Sequence, residues 1–94
     1  MRVYLERINP ADAMARFYCV AVVPTLFGNW AVVREWGQIG QGGTVREEAF
    51  DVEADAVRTA DEHIIRKRRG GYALADAREG SRSELAKMSG ASQM

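Results

Sequence analysis

Catalysis needs a nucleophile, a base and an orienting group brought to one place, or a metal ion. The chain has one histidine, His63, and one cysteine, Cys19. His63 falls in a helical stretch, two residues after Asp61 and next to Glu62, and reads as a solvated helix side chain. Cys19 falls in the middle of an apolar run and reads as a buried, inert thiol. One Cys and one His cannot supply the four ligands of a structural zinc site. Glu47 and Glu48 are neighbours in a strand, so they point to opposite faces and form no acid–base dyad. The segment Gly37-Gln38-Ile39-Gly40-Gln41-Gly42-Gly43 precedes a strand and lacks the Lys-Ser/Thr ending of a phosphate-cradling loop. The expectation is a non-catalytic protein that uses no cofactor and no metal.

What remains is aromatic and cationic. Trp30, Arg34 and Trp36 share one face of a strand, and Arg66-Lys67-Arg68-Arg69 close the helix that follows. Tryptophans on a strand face are most often core residues, because the ring buries a large apolar area. Trp30 is read that way. Trp36 sits at the strand end beside the glycine segment. There it can act as a platform for a sugar or base, with the Arg34 guanidinium reaching a phosphate.

These residues need a scaffold, and the apolar pattern predicts one. Val3–Ile8 alternates as a strand, and Asn9-Pro10-Ala11-Asp12 is turn chemistry. Arg16–Val23 is an apolar, β-branched and aromatic strand that Pro24 closes. A turn over Pro24–Asn29 uses Gly28. Strands at Trp30–Trp36 and Thr44–Phe50 then flank a hairpin loop over Gly37–Gly43. Asp51 is the expected N-cap of a helix whose buried stripe is Ala56, Val57, Ala60, Ile64 and Lys67. Gly70-Gly71 is expected to stop that helix with a left-handed cap and to fold Tyr72 back on the last turn. The fold class is α+β: an antiparallel sheet of about four strands with one helix packed across it. The folded domain is expected over 1–72. Residues 73–94 contain no aromatic residue and read as a mobile tail, with a transient helix around Ser83–Met88.

The chain of 94 residues has 13 Lys and Arg against 13 Asp and Glu, a net charge of zero. That balance argues against strong nucleic-acid binding by the whole surface, so local patches must carry it. Residues 47–62 hold seven acids (Glu47, Glu48, Asp51, Glu53, Asp55, Asp61 and Glu62) against Arg58 alone; four basic residues follow at 66–69. No apolar run reaches the length of a membrane span. Charges at Arg2, Glu6 and Arg7 interrupt what would have to be an apolar signal segment. With one cysteine and no internal disulfide, a reducing, cytoplasmic location is expected.

Taken in order, several blocks resemble the WGR domain family. They are Pro24-Thr25-Leu26-Phe27-Gly28-Asn29-Trp30, Val33-Arg34-Glu35-Trp36-Gly37-Gln38-Ile39-Gly40, Phe50, and Lys67-Arg68-Arg69-Gly70-Gly71-Tyr72. The resemblance covers about residues 3–72 and is closest to small bacterial proteins made of this domain alone. It implies an antiparallel sheet with one helix across it. It also implies contact with DNA backbone or strand ends, as in the WGR domains of DNA-dependent poly(ADP-ribose) polymerases, with no reading of base sequence. The residues it points to are Trp36, Gly37, Gln38, Arg34, Lys67 and Arg69. Gln38 stands where the family motif has arginine, so it brings a neutral hydrogen-bonding group where a charge-assisted bond would be about twice as strong. The competing reading is a protein-interaction module, a small subunit of a larger repair or regulatory assembly, favoured by the acidic stretch and the lost arginine.

Overall fold

The structure, a computed structural model, describes residues 1–75. The expected helix around Ser83–Met88 lies outside the described residues. Five strands and one helix follow in the order β1 Arg2–Asn9, β2 Met14–Pro24, β3 Trp30–Gln38, β4 Thr44–Phe50, α1 Glu53–Arg69 and β5 Ala73–Leu74. All neighbouring strands are antiparallel, and the spatial order is β4-β3-β2-β1-β5. The longest and most apolar strand, β2, therefore lies at the centre, with buried side chains on both faces.

Each turn has a local cause. Between β1 and β2, the Asn9 Oδ1 accepts from the Ala11 N–H at 3.2 Å and its Nδ2 donates to Asp12 at 2.9 Å. Pro10–Asp12 then form one turn of 3-10 helix. Between β2 and β3, the Thr25 Oγ1 accepts from the Phe27 N–H at 3.1 Å, and Gly28 takes a φ of +85° that other residues resist. This rigid turn leaves Leu26 and Phe27 almost fully exposed.

Alternation sorts the side chains onto two faces. One face carries Tyr4, Phe17, Cys19, Ala21, Ala31 and Val33, with Tyr4 and Phe17 stacked at 6.1 Å. The other carries Leu5, Tyr18, Val20, Val22 and Val32 and is covered by α1 through Ala56 and Ala60, which have no exposed surface. Side chains this small let the helix backbone lie close on the sheet. Val57 and Ile64 pack beside them, as the helical spacing predicts, and Lys67 is half-buried at the same stripe's end.

Four details differ from the reading of the sequence. First, β3 does not end at Trp36. Gly37 pairs with Phe17 and Gln38 with Arg16, so the loop shrinks to Ile39–Gly43. The cause is close backbone approach: a Cβ at Gly37 would sit 3.1 Å from the Gly43 Cα, and one at Gly43 only 2.5 Å from the Trp36 carbonyl oxygen. Second, Asp51 is not the helix N-cap. The cap position falls on Val52, whose side chain makes no cap bond, while its carbonyl accepts from Asp55 at 3.1 Å. Asp51 lies one residue too early to reach the first-turn N–H groups. Third, the sheet has a fifth strand. Ala73 and Leu74, expected in the tail, pair with Glu6 and Leu5, and the Ala75 N–H donates to the Tyr4 carbonyl at 3.0 Å. Fourth, His63 is half-buried on the sheet side of the helix, where Ala60 and Lys67 share its face.

The helix stop explains the fifth strand. Gly71 has a φ of +103°; its N–H donates to the Arg68 carbonyl, and the Tyr72 N–H donates to that of Lys67, both at 3.1 Å. This pair of bonds is a Schellman cap. It reverses the chain, presses Tyr72 toward the sheet and delivers Ala73 to the edge of β1. The doubled glycine places Gly70 at the cap and Gly71 at the left-handed position after it.

The glycine pair at the β3–β4 hairpin gives a test. Gly43→Ala is expected to lower stability by about 1–3 kcal/mol, the cost of forcing an extra carbon into packed surroundings. Gly42→Ala meets nothing within 4 Å and is expected to stay within about 0.5 kcal/mol of the wild type, as for surface positions generally. Urea unfolding of the two variants distinguishes them, and equal losses would show that the close approach is not real.

Candidate nucleic-acid interface

The helix-side face of β3 carries Trp30, Val32, Arg34, Trp36 and Gln38. The helix covers this face only in part and ends near Trp36 and Tyr18. Trp36 is therefore half-buried, packed against the core at one side and open at the other. Its ring stacks on Tyr18 at 6.2 Å and 26°, and the Arg34 guanidinium carbon lies 5.3 Å from the Trp36 ring centre. Tyr18 in turn meets Tyr72 edge-on at 6.4 Å. The Lys67 ammonium lies 5.0 Å from the Tyr18 ring centre and 5.4 Å from that of Tyr72. Arg34, Trp36, Tyr18, Lys67 and Tyr72 thus form one alternating series of cations and aromatic rings.

Beside this series, Arg7, Met14, Arg16, Arg66, Lys67, Gly70 and Tyr72 line an open cleft of about 330 Å³. Its four cations come from β1, β2 and the last turn of α1. Register explains the first two: Arg7 and Arg16 are directly paired across β1 and β2, in step with Leu5 and Tyr18 on the helix side. Register also bears on the motif position. Gln38 lies opposite Arg16, so the strand next to the neutral glutamine presents a guanidinium on the same face. Among the described residues the one ion pair is Arg58–Asp55, so none of the cleft cations is neutralised by a carboxylate in contact.

The structure brings Trp36, Arg34, Gln38 and Lys67 onto one face. Two other residues read from the sequence stand apart. Gly37 faces the opposite side, against Gly43 and Phe17. Arg69 lies with Glu62, Ile65 and Arg66 on the exposed side of the helix. Sequence reasoning missed Arg7 and Arg16 and did not single out Arg66. Their signal was present in the period of two from Leu5 and Tyr18, but the hairpin register that pairs Arg7 with Arg16 was needed to use it.

Burial is the main cause of three shifts among the titratable groups. Burial raises the Tyr18 phenol above its ordinary value against the opposing pull of Arg34 and Arg66, so it stays neutral. Burial also raises the Cys19 thiol, which has no exposed surface, as expected for a buried thiol in an apolar run. Burial lowers His63 below its ordinary value, and the nearby positive charges of Arg34 and Arg66 lower it further; Glu48 and Glu62 oppose them. Among the described residues no group of three or more His, Cys, Asp or Glu is placed to hold a metal ion. Nor is any described helix long and apolar enough to cross a membrane.

Comparison with known proteins agrees with this architecture. The WGR domain family matches residues 1–79. The chain belongs to the WGR family. This is a family of non-catalytic, nucleic-acid-binding modules. An uncharacterized protein of Sinorhizobium fredii, y4dW, is 41% identical over 71 residues, which are 76% of this chain and 35% of that protein. The chain thus spans about a third of its relative's length. No solved structure matches it.

The His63 environment predicts a direction of titration. The folded state holds the imidazole below its ordinary value of 6.5, so as pH falls through that value the unfolded chain takes up the proton first. Stability is then lost below about pH 6.5. NMR titration should place the His63 midpoint below that of a histidine in the urea-unfolded chain. A higher midpoint would show that Glu48 and Glu62 outweigh the arginines.

Proposed function

We propose that this WGR domain binds DNA through its sugar-phosphate backbone or strand ends, without catalysis and without reading base sequence. The observation that supports this most is the cleft of Arg7, Arg16, Arg66 and Lys67 beside the half-buried Trp36 ring, none of its cations paired with a carboxylate among the described residues. Phosphate contacts need unpaired cations and hydrogen-bond donors held in place, and a ring beside them can stack on a sugar or base. Arg16 would supply the charge that Gln38 lacks. The contact set is Trp36, Gln38, Arg34 and Lys67, joined by Arg7, Arg16 and Arg66. Gly37 contributes through the backbone, and Arg69 adds charge from the flank.

A second reading, a protein-interaction module, is favoured by a different observation. Leu26 and Phe27 are almost fully exposed on a rigid turn at the far end of β3 from Gln38. Exposed apolar side chains of this size mark contact sites when they cluster. A cytoplasmic location and a larger assembly belong to this proposal as expectations.

Binding of a nicked or blunt duplex at several salt concentrations tests the first reading. Affinity should fall with salt at a slope of about −0.9 per phosphate contact. Arg16→Gln, at an exposed position, should weaken binding and reduce that slope by about 1. Trp36→Ala should also weaken it, with circular dichroism confirming the fold. Salt-independent binding, or unchanged affinity in both variants, would sink it. Recovery of a stoichiometric protein partner after nuclease treatment, with no duplex bound, would favour the second.

A further inference from the structure

Two pairs of arginines oppose one another directly on the helix-side face. Arg7 faces Arg16 across β1 and β2, and Arg34 faces Arg46 across β3 and β4. Like charges directly opposite in a sheet are destabilising. The first pair lines the cleft described above. The second lies on the other flank of Trp36, with Arg34 reaching the ring and Arg46 exposed. Behind it the helix places His63, whose Nδ1 lies 3.4 Å from the Arg66 guanidinium. Among the described residues neither Arg34 nor Arg46 has a carboxylate within ion-pairing distance, although Glu48 and Glu62 are near His63.

We infer that Arg34 and Arg46 form a second phosphate-binding seat, separate from the Arg7–Arg16 cleft, so that a nucleic-acid backbone is held at two phosphate positions with Trp36 between them. This rests on the DNA-binding reading above and extends it to a surface outside the cleft. The spacing requires two seats. Arg46 and Arg16 are two strands apart and four residues apart in level, roughly 16 Å at a strand spacing of about 4.8 Å and a rise of about 3.3 Å. One phosphate group does not span that distance. Arg66 stands between the seats, lining the cleft and touching His63. The ligand class is a phosphodiester chain, because a single small anion would occupy one seat and leave the other pair opposed.

The experiment compares the full chain with Arg46→Gln, Arg16→Gln and the double variant, using a fluorescein-labelled nicked duplex across a salt series. Each single change should reduce the salt slope by about 1, and the double change by about 2, because independent phosphate contacts add. Arg46→Gln removes a like-charge opposition, so it should unfold at the same or a slightly higher urea concentration while binding more weakly. The His63 imidazole should titrate at higher pH in the wild-type complex than in the free protein, since an anion at Arg34 stabilises the imidazolium. That rise should shrink in Arg46→Gln and persist in Arg16→Gln. If Arg46→Gln binds as the wild type does while Arg16→Gln is weakened, the second seat is wrong and the DNA-binding reading stands. If the wild-type chain binds no duplex, both fall together.

Discussion

Tyr18 is the side chain on which the fold and the interface both depend. It sits on the central strand with almost no exposed surface, in the same cluster as Leu5, Val20, Val32, Ala56 and Ala60. Its ring is also the floor of the proposed interface, with Trp36 stacked on it, Tyr72 against its edge and the Lys67 ammonium over its face. Its hydroxyl is buried without a hydrogen bond of good geometry, and Arg34 is its charged neighbour. A large aromatic in this place ties the last turn of the helix to the end of β3. The cations that flank Trp36 are therefore positioned by the same packing that stabilises the domain.

The charge distribution follows from that arrangement. The chain is neutral in sum, yet the uncovered part of the helix-side face collects arginines from four strands and the helix end. The acids lie chiefly along β4 and the first turns of α1, where Glu53 and Asp55 favour the helix dipole. The opposite dipole end needs no acids, and among the described residues Arg66 and Lys67 form no ion pair there. A positive surface arises by segregation, without net charge. That segregation limits any electrostatic pull to short range, within about a Debye length of the face.

The Schellman cap has a comparable double role. It satisfies the last carbonyls of α1, and it turns Tyr72 into the interface and Ala73–Leu74 onto β1. The glycines around β3 and β4 act in the same way. Gly37 and Gly43 allow two backbones to meet, which lengthens β3 until Gln38 lies opposite Arg16. The first two residues of the expected loop are thus ladder, and Trp36, Gly37 and Gln38 are all carried on the strand.

The sequence by itself determined the kind of fold. Alternation marked four strands, the Ala56–Ala60–Ile64 spacing marked one helix face, and the ordered blocks around Trp36 and Tyr72 marked the WGR family. These are local signals, because period, capping and turn chemistry are set within a few residues. Asp51 misled because a cap depends on where the helix starts, to the single residue. The fifth strand was unreadable, since two residues carry no period and pair only because a distant edge receives them. The tertiary structure alone decided which cations stand around Trp36 in the proposed interface. Arg7, Arg16 and Arg46 are unremarkable in the chain and become neighbours of Trp36 only through register, which is a relation between strands and not a property of any one of them.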